Sequence, residues 1–146
     1  MMISPHFSYE ELIASQEAAR YGINNTPGEA EKFALLNVLV PGIELVRIAL
    51  DQPMVISSGY RCPLLNVKIG GAKTSQHMRG EAADFICPKF GSPYEVCQKI
   101  MGQKDSIGYD QLIHEFTWVH VSFSAGQPRG EELTFKYGSY TPGIHL

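Results

Sequence analysis

The sequence predicts an α+β fold in which an antiparallel sheet is flanked by helices. Segments with helical spacing and capping signals dominate the first third of the chain, and short segments of alternating apolar residues follow. The helices precede and interrupt the strands without the regular rhythm of a parallel sheet. With 146 residues, 18% of them charged and 44% hydrophobic, we expect one globular domain that spans residues 1–146.

Capping signals predict where the first helices begin. Ser8 and Glu11 have the spacing of a capping box, so a short helix is expected to begin there and to end near Gly22. Thr26 followed by Pro27 has the pattern of an N-cap and a first helical residue, which predicts the start of a longer helix.

The longer helix is predicted to be the main core element. Its apolar residues form one stripe at helical spacing: Leu36, Leu39, Val40, Ile43, Val46 and Leu50. Pro41 lacks a backbone donor, so a kink is expected there. Asn37, Glu44 and Arg47 interrupt the apolar run, which argues against a membrane span.

The rest of the sequence predicts short strands, two helical segments and the turns between them. Strands are expected within 54–60 and 80–87, helical segments within 61–71 and 92–102, and two strands with a tight connection within 109–123. The tail after Ser124 is rich in glycine, proline and tyrosine, and we expect mostly loop there.

Composition excludes several classes of protein. A formal net charge of −3 provides no cationic surface for nucleic acid. Cys62, Cys87 and Cys97 are odd in number and lack CxxC spacing, so we expect reduced thiols and neither a disulfide framework nor a thiolate zinc site. The N-terminus lacks a basic segment followed by an apolar one, which predicts synthesis in the cytoplasm without a secretory signal. We expect a monomer that does not insert into a membrane.

Three residues have the chemistry of a catalytic zinc site. His77 and Asp84 lie seven residues apart in TSQHMRGEAADF, and His120 follows in TWVHVSF. Two imidazoles and one carboxylate leave the fourth position of a tetrahedral zinc ion free for water, whereas a structural site is normally closed by four protein ligands. The candidate cofactor is therefore one zinc ion per chain.

Hairpin geometry adds a candidate general base. If Phe116 and Thr117 form a two-residue loop, Glu115 faces Trp118 and lies on the same face of the sheet as His120. A carboxylate there can reach a water on the metal without binding the metal. The same register turns His114 to the opposite face and excludes it as a ligand. It also places Asp110, the fallback base, on the His114 face.

Three blocks of the sequence resemble a known family. SGYRCPLLN, SQHMRGEAADF and WVHVSF are similar to the signature blocks of the zinc D-Ala-D-Ala carboxypeptidase-like family, peptidase family M15, and FSYEEL near the start suits its small phage and prophage branch. The resemblance implies the α+β hedgehog/DD-peptidase fold. It also implies that His77, Asp84 and His120 bind zinc and that Arg61 is the cation near the substrate carbonyl or carboxylate.

The sequence departs from the family pattern at one position. Members commonly carry the catalytic acid three residues before the last histidine, where this chain has Thr117. Glu115 is nominated as the base by the hairpin register instead. Ser75, Tyr60 and Trp118 are further candidates for substrate binding, with Ser75 either orienting a zinc-ligating histidine or capping its loop.

The resemblance implies a zinc peptidase that cuts the stem peptides of peptidoglycan, as a D,D-carboxypeptidase or as an endolysin-like endopeptidase. The partners expected are peptidoglycan peptides, reached by holin-type release or by virion delivery. Two alternatives stay open. One is a non-catalytic module that keeps zinc for stability and binds the cell wall; the other is a virion component of the same fold.

Overall fold

The computed structural model describes residues 1–146 and confirms the predicted α+β class. The helices are α1 (Tyr9–Ile13), α2 (Gln16–Tyr21), α3 (Glu29–Ala34), α4 (Val40–Leu50), α5 (Pro63–Lys68), α6 (Pro93–Gly102) and α7 (Lys104–Ile107). The strands are β1 (Val55–Ser58), β2 (Ala82–Ile86), β3 (Gln111–His114), β4 (Val119–Ser122), β5 (Glu131–Lys136) and β6 (Ser139–Pro142). A π-helical segment, Leu35–Leu39, joins α3 to α4, and a 3₁₀ turn, Gln76–Arg79, precedes β2.

The six strands form one mixed sheet in the order β1-β2-β4-β3-β5-β6. All neighbours are antiparallel except β3 and β5, which are parallel. The prediction of a mostly loop-like tail was wrong, because β5 and β6 lie after Ser124. Strand β6 is exposed and β5 is mostly half-buried without alternation, so neither strand shows the alternating pattern from which a half-buried strand is predicted.

The N-terminal helices differ from the prediction in two respects. The capping box of Ser8 and Glu11 is present, but the chain breaks at Ala14 and Ser15 into two helices, the second ending at Gly22. Thr26 is not an N-cap: its amide donates to the Asn24 side chain, and α3 begins after Gly28 instead. This hydrogen bond places Thr26 in a local turn at Asn24, in the loop before α3.

The segment Glu29–Leu50 is a continuous helix with a π turn before Pro41. The amide of Val40 donates to the carbonyl of Leu35, one residue further back than in an α-helix. The wider turn brings Leu35, not the predicted Leu36, into the core, and the predicted apolar residues from Leu39 onwards are buried. This helix is long and apolar enough to cross a membrane, but the core helix of a globular protein can have the same length and composition. Its apolar stripe packs inside the protein.

The sheet has one face in the core and one face that carries polar side chains. Phe85, Leu112 and Val121 belong to a cluster of 25 buried hydrophobic residues that also contains the inner faces of α4 and α6. Since successive strand residues point to opposite faces, Asp84 and His120 lie on the other face. The three cysteines are buried and unpaired, as predicted.

The predicted hairpin between β3 and β4 is confirmed. Ile113 is opposite His120, and the Glu115 amide donates to the Trp118 carbonyl at 3.1 Å. Phe116 takes a left-handed conformation with φ 64°, which a two-residue connection needs and which a residue other than glycine rarely adopts. The register therefore sets the face on which each side chain of the hairpin lies.

Candidate metal centre

Three elements bring His77, Asp84 and His120 together. Asp84 on β2 is directly opposite His120 on β4, and the 3₁₀ turn before β2 carries His77. One potential ligand atom from each residue lies within 4.8 Å of the others, and all three residues are buried. This compact His, Asp, His group could hold a metal ion.

The hydrogen bonds of the two imidazoles suit them to metal binding. His77 Nδ1 donates to the Gly59 carbonyl at 2.7 Å, which leaves the lone pair of Nε2 on the side of Asp84, 3.3 Å from its Oδ1. His120 presents Nδ1 to the same oxygen at 2.9 Å. Burial opposes ionisation of Asp84, but the neighbouring His77 and His120 hold its pKa far below the ordinary value. The carboxylate is therefore ionised, as a metal ligand must be.

Backbone and side-chain contacts fix the turn that carries His77. Ser75 is its N-cap, and its Oγ accepts from the His77 amide at 3.2 Å. The amide of Arg61 donates to the His77 carbonyl at 3.1 Å. Of the two roles considered from the sequence, the structure shows that Ser75 caps the turn, whereas the His77 ring is held by the Gly59 carbonyl.

Glu115 lies beside the metal-binding group without belonging to it. Its side chain follows β3 on the His120 face, and Trp118 Nε1 donates to its Oε2 at 3.1 Å. Burial and the charge of Asp84 raise the pKa of Glu115, and these effects outweigh the opposing influence of His120, the indole and Arg61. A carboxylate with a raised pKa, held by a neutral donor, suits a proton acceptor.

Arg61, on the loop after β1, also lies beside the metal-binding group. Its Nη1 donates to Asn66 Oδ1 at 3.0 Å, and Asn66 in turn donates to the Ala72 carbonyl at 2.9 Å. Burial lowers the pKa of Arg61, which the charges of Asp84 and Glu115 partly offset.

Asn66 was not singled out from the sequence, although it ends the SGYRCPLLN block that carries Arg61. It is buried, and it holds the guanidinium through its side-chain oxygen. A Cβ at Gly71 would lie 2.1 Å from that oxygen and 2.9 Å from Arg61 Nη1, so only glycine fits there.

The metal-binding group lines a cleft of about 870 Å³. Ile113, Leu133 and Tyr140 form part of its lining, on strands β3, β5 and β6. Tyr140 stacks on Phe135 with ring centroids 4.6 Å apart. The sequence prediction missed Leu133 and Tyr140 because it assigned the tail after Ser124 to a loop.

Asp110 lies in the cleft lining and not on the His114 face as expected. Strand β3 begins only at Gln111, so the alternation of the strand does not extend to Asp110. The Arg129 backbone amide donates to the Asp110 carboxylate at 2.8 Å, and the Arg129 guanidinium donates to it at 2.7 and 3.1 Å. An engaged carboxylate of this kind is a poor candidate for a general base.

His114, Tyr60 and Trp118 differ in whether they line the cleft that contains the metal-binding group. His114 lies on the opposite face, where its ring packs against Tyr94 and Phe116 and its Nδ1 contacts the His145 carbonyl oxygen. Tyr60 is buried and lines only a second, smaller cleft, whereas Trp118 lines both clefts.

The buried group of two histidines and one aspartate lines the cleft and could hold one metal ion, as such groups do in metal-dependent hydrolases. The family model of Peptidase M15 matches residues 5–122. The chain therefore belongs to the M15 peptidase family, whose members are typically zinc-dependent. No curated protein matches the sequence.

Proposed function

We propose that this protein is a zinc-dependent peptidase that hydrolyses the stem peptides of peptidoglycan. The observation that carries the proposal is the convergence of His77, Asp84 and His120 beside Glu115 in an open cleft. Membership of the M15 family suggests this chemistry and this substrate class.

The donor set fits zinc. Imidazole nitrogen and carboxylate oxygen are the usual ligands of catalytic zinc, and three of them leave one position for water. His77 and His120 would contribute Nε2 and Nδ1, the nitrogens that lie closest to Asp84 Oδ1. When bound, zinc supplies a Lewis acid that lowers the pKa of water and polarises the scissile carbonyl.

Glu115 and Arg61 have separate tasks in the proposed reaction. Glu115 accepts a proton from the attacking water and passes it to the leaving amine, and the Trp118 indole keeps its carboxylate in place. Arg61, oriented by Asn66, donates to the oxygen that gains negative charge in the transition state or to a carboxylate of the substrate.

The placement of Glu115 favours an enzyme over a non-catalytic module. A binding domain that keeps zinc for stability needs no second carboxylate beside the metal, and a raised Glu115 pKa indicates that its ionised form is costly to hold there. The same site would serve a free lysis enzyme and a virion component. Both would act on peptidoglycan outside the cytoplasm, without nucleic acid or stable membrane insertion, and we propose that the protein acts as a monomer.

Mass spectrometry of purified muropeptides tests the proposal. Zinc-loaded protein is expected to convert a muropeptide into products whose masses add up to the substrate plus one water. Removal of zinc with a chelator should abolish the conversion, and added zinc should restore it. Intact muropeptides after incubation with zinc-loaded, folded protein would overturn the proposal.

A further inference from the structure

The segment between β4 and β5 contacts the turn that carries His77. Arg129 precedes β5, and its Nη2 donates to Gln76 Oε1 at 3.2 Å. Gln76 is the residue immediately before His77 in the 3₁₀ turn, and it is buried. Arg129 lies beyond residue 122, where the match to the M15 family model ends. The contact therefore joins the metal-binding group to a part of the chain that the family model does not cover.

The Gln76 side chain connects this turn to the two strands that carry the other metal-binding residues. Its Nε2 donates to the Phe123 carbonyl and to Glu81 Oε1, each at 3.4 Å. Glu81 immediately precedes β2, which carries Asp84, and Phe123 immediately follows β4, which carries His120. The orientation of the Gln76 amide therefore helps to set the distance between the turn and both strands.

The guanidinium of Arg129 determines which way round the Gln76 amide lies. An amide has an accepting oxygen and a donating nitrogen, whereas a guanidinium only donates. The oxygen of Gln76 is therefore favoured beside Arg129, as observed. The nitrogen then faces the Phe123 carbonyl and the Glu81 carboxylate, which both accept hydrogen bonds. In the reversed orientation the oxygen would face two other acceptors, so loss of Arg129 removes the group that selects the observed one.

Asp110 holds Arg129 in place. The Arg129 backbone amide, Nε and Nη2 all donate to the Asp110 carboxylate, at 2.8, 3.1 and 2.7 Å. Asp110 is itself anchored, because its amide donates to the Ser122 carbonyl at 2.8 Å. A lysine at position 129 would keep the charge beside Asp110 but lose the planar fork that reaches Asp110 and Gln76 together.

We propose that Arg129 is a positioning residue of the metal centre: through Gln76 it holds the turn of His77 against the two strands that carry the other ligands. This inference rests on the zinc site of the proposed function, and it is independent of which peptide bond is cleaved. Arg129 does not belong to the metal-binding group. Its substitution should therefore weaken zinc binding while all three ligands remain present.

A double-mutant cycle on zinc affinity tests whether Arg129 acts through Gln76. Arg129→Lys keeps the positive charge, and Gln76→Met keeps the length of the side chain but removes its amide. Competition with a chelator gives the zinc dissociation constant of the parent, the two single variants and the double variant. Zinc affinity is the readout because Arg129 also lines the cleft, where a substitution can change cleavage through substrate binding.

Two controls separate positioning from a merely structural role. Urea unfolding of the zinc-free proteins measures stability, which a structural role would lower while the zinc affinity of the folded protein stayed at the parent value. Arg20→Lys, on the exposed side of α2, is the matched substitution, because Arg20 lines neither cleft. It should keep the zinc affinity of the parent.

We expect Arg129→Lys and Gln76→Met each to weaken zinc binding by about tenfold, as loss of a group that orients a ligating histidine does. The double variant should also lose about tenfold, and not about a hundredfold, because both changes break the same connection. Circular dichroism should show that the variants are folded.

Parent zinc affinity in folded Arg129→Lys would overturn the inference, and this comparison decides the matter even if Gln76→Met does not fold. Losses that multiply in the double variant would also overturn it, since Arg129 would then act independently of Gln76. In both cases the zinc site and the proposed function stand. A parent protein that binds no zinc would overturn both the inference and the proposed function.

Discussion

At the scale of single residues, Glu115 is positioned by a neutral donor, the Trp118 indole, rather than by a cation. Glu115→Gln keeps an oxygen for that hydrogen bond but cannot accept a proton. We expect the rate of muropeptide hydrolysis to fall by roughly 10² to 10⁴, the usual worth of a general base. Zinc content and circular dichroism should match the parent protein.

Glu29→Gln, in the exposed first turn of α3, serves as the control for charge removal and should leave the rate unchanged. A Glu115→Gln protein that cuts muropeptides at the parent rate would contradict the assignment of the base. The non-catalytic interpretation of the site would then gain support.

Asn66 Oδ1 accepts from Arg61 Nη1 at 3.0 Å and orients the guanidinium, a planar fork of donors that lysine lacks. Arg61→Lys keeps the charge but loses the fork of donors, so turnover should fall about tenfold or more, with zinc retained. Steady-state kinetics measures the effect, and Arg20→Lys on the exposed side of α2 is the matched control. If Arg61→Lys and Arg20→Lys had the same turnover, the role of Arg61 would be structural and not catalytic.

At the scale of elements, α1 approaches β1 so closely that only glycine fits at position 59. A Cβ on Gly59 would lie 2.3 Å from the Leu12 carbonyl oxygen, and the Gly59 carbonyl accepts from His77 Nδ1. Gly59→Ala should therefore lower the free energy of unfolding by about 1 to 3 kcal/mol. It should also weaken zinc binding by about tenfold or more, because the histidine loses its orientation.

Urea unfolding and zinc titration measure the two effects. Gly102→Ala is the control, since a Cβ at Gly102, in α6, meets nothing within 4 Å. That change should stabilise the protein slightly, by about 0.5 to 1 kcal/mol. Gly59→Ala with the stability and zinc affinity of the parent would show that α1 can shift without disturbing the site.

The elements that the sequence predicted are those with strong local signals. The register of the β3–β4 hairpin followed from pairing Glu115 with Trp118, and it placed His120 and His114 on the correct faces. The capping box of Ser8 and Glu11 likewise depends on residues three apart. Each of these features is decided within a few residues of the chain.

Features that depend on distant contacts were missed. Strand β5, which is mostly half-buried, pairs with β3, and the exposed strand β6 pairs with β5. The predicted helix start at Thr26 was wrong: Thr26 lies in a turn with Asn24, and Gly28 is the N-cap of α3. The roles of Asn66 and of the Asp110–Arg129 pair also required the folded structure, because both join residues from separate segments or turns.

At the scale of the whole molecule, the Asp110–Arg129 pair ties the loop before β5 to the start of β3. Burial opposes ionisation of Asp110, but the hydrogen bonds from Arg129 outweigh it and lower the Asp110 pKa. The unfolded value is about 3.9. The stabilisation from the Asp110–Arg129 pair is therefore complete above the unfolded pKa of Asp110. It is lost as the pH falls through the lower pKa of Asp110 in the folded protein.

Asp110→Asn should lower the free energy of unfolding by about 1 to 2 kcal/mol at neutral pH. The difference from the parent should shrink as the pH falls below about 4, because a protonated aspartic acid resembles asparagine. Urea unfolding of both proteins across this range measures it. A difference that stays constant with pH would mean that the charge of Asp110 does not contribute to stability.

Zinc content of the purified protein tests most directly whether His77, Asp84 and His120 form a metal centre. The parent protein and His114→Ala, whose imidazole lies on the opposite face, should each hold about one zinc ion per chain. His77→Ala, Asp84→Ala and His120→Ala should each lose it, and acidification should release zinc from the parent as the histidines protonate. Elemental analysis after dialysis gives the result. Full zinc retention in any of the three ligand variants, with a folded protein by circular dichroism, would contradict the metal centre and the peptidase chemistry built on it.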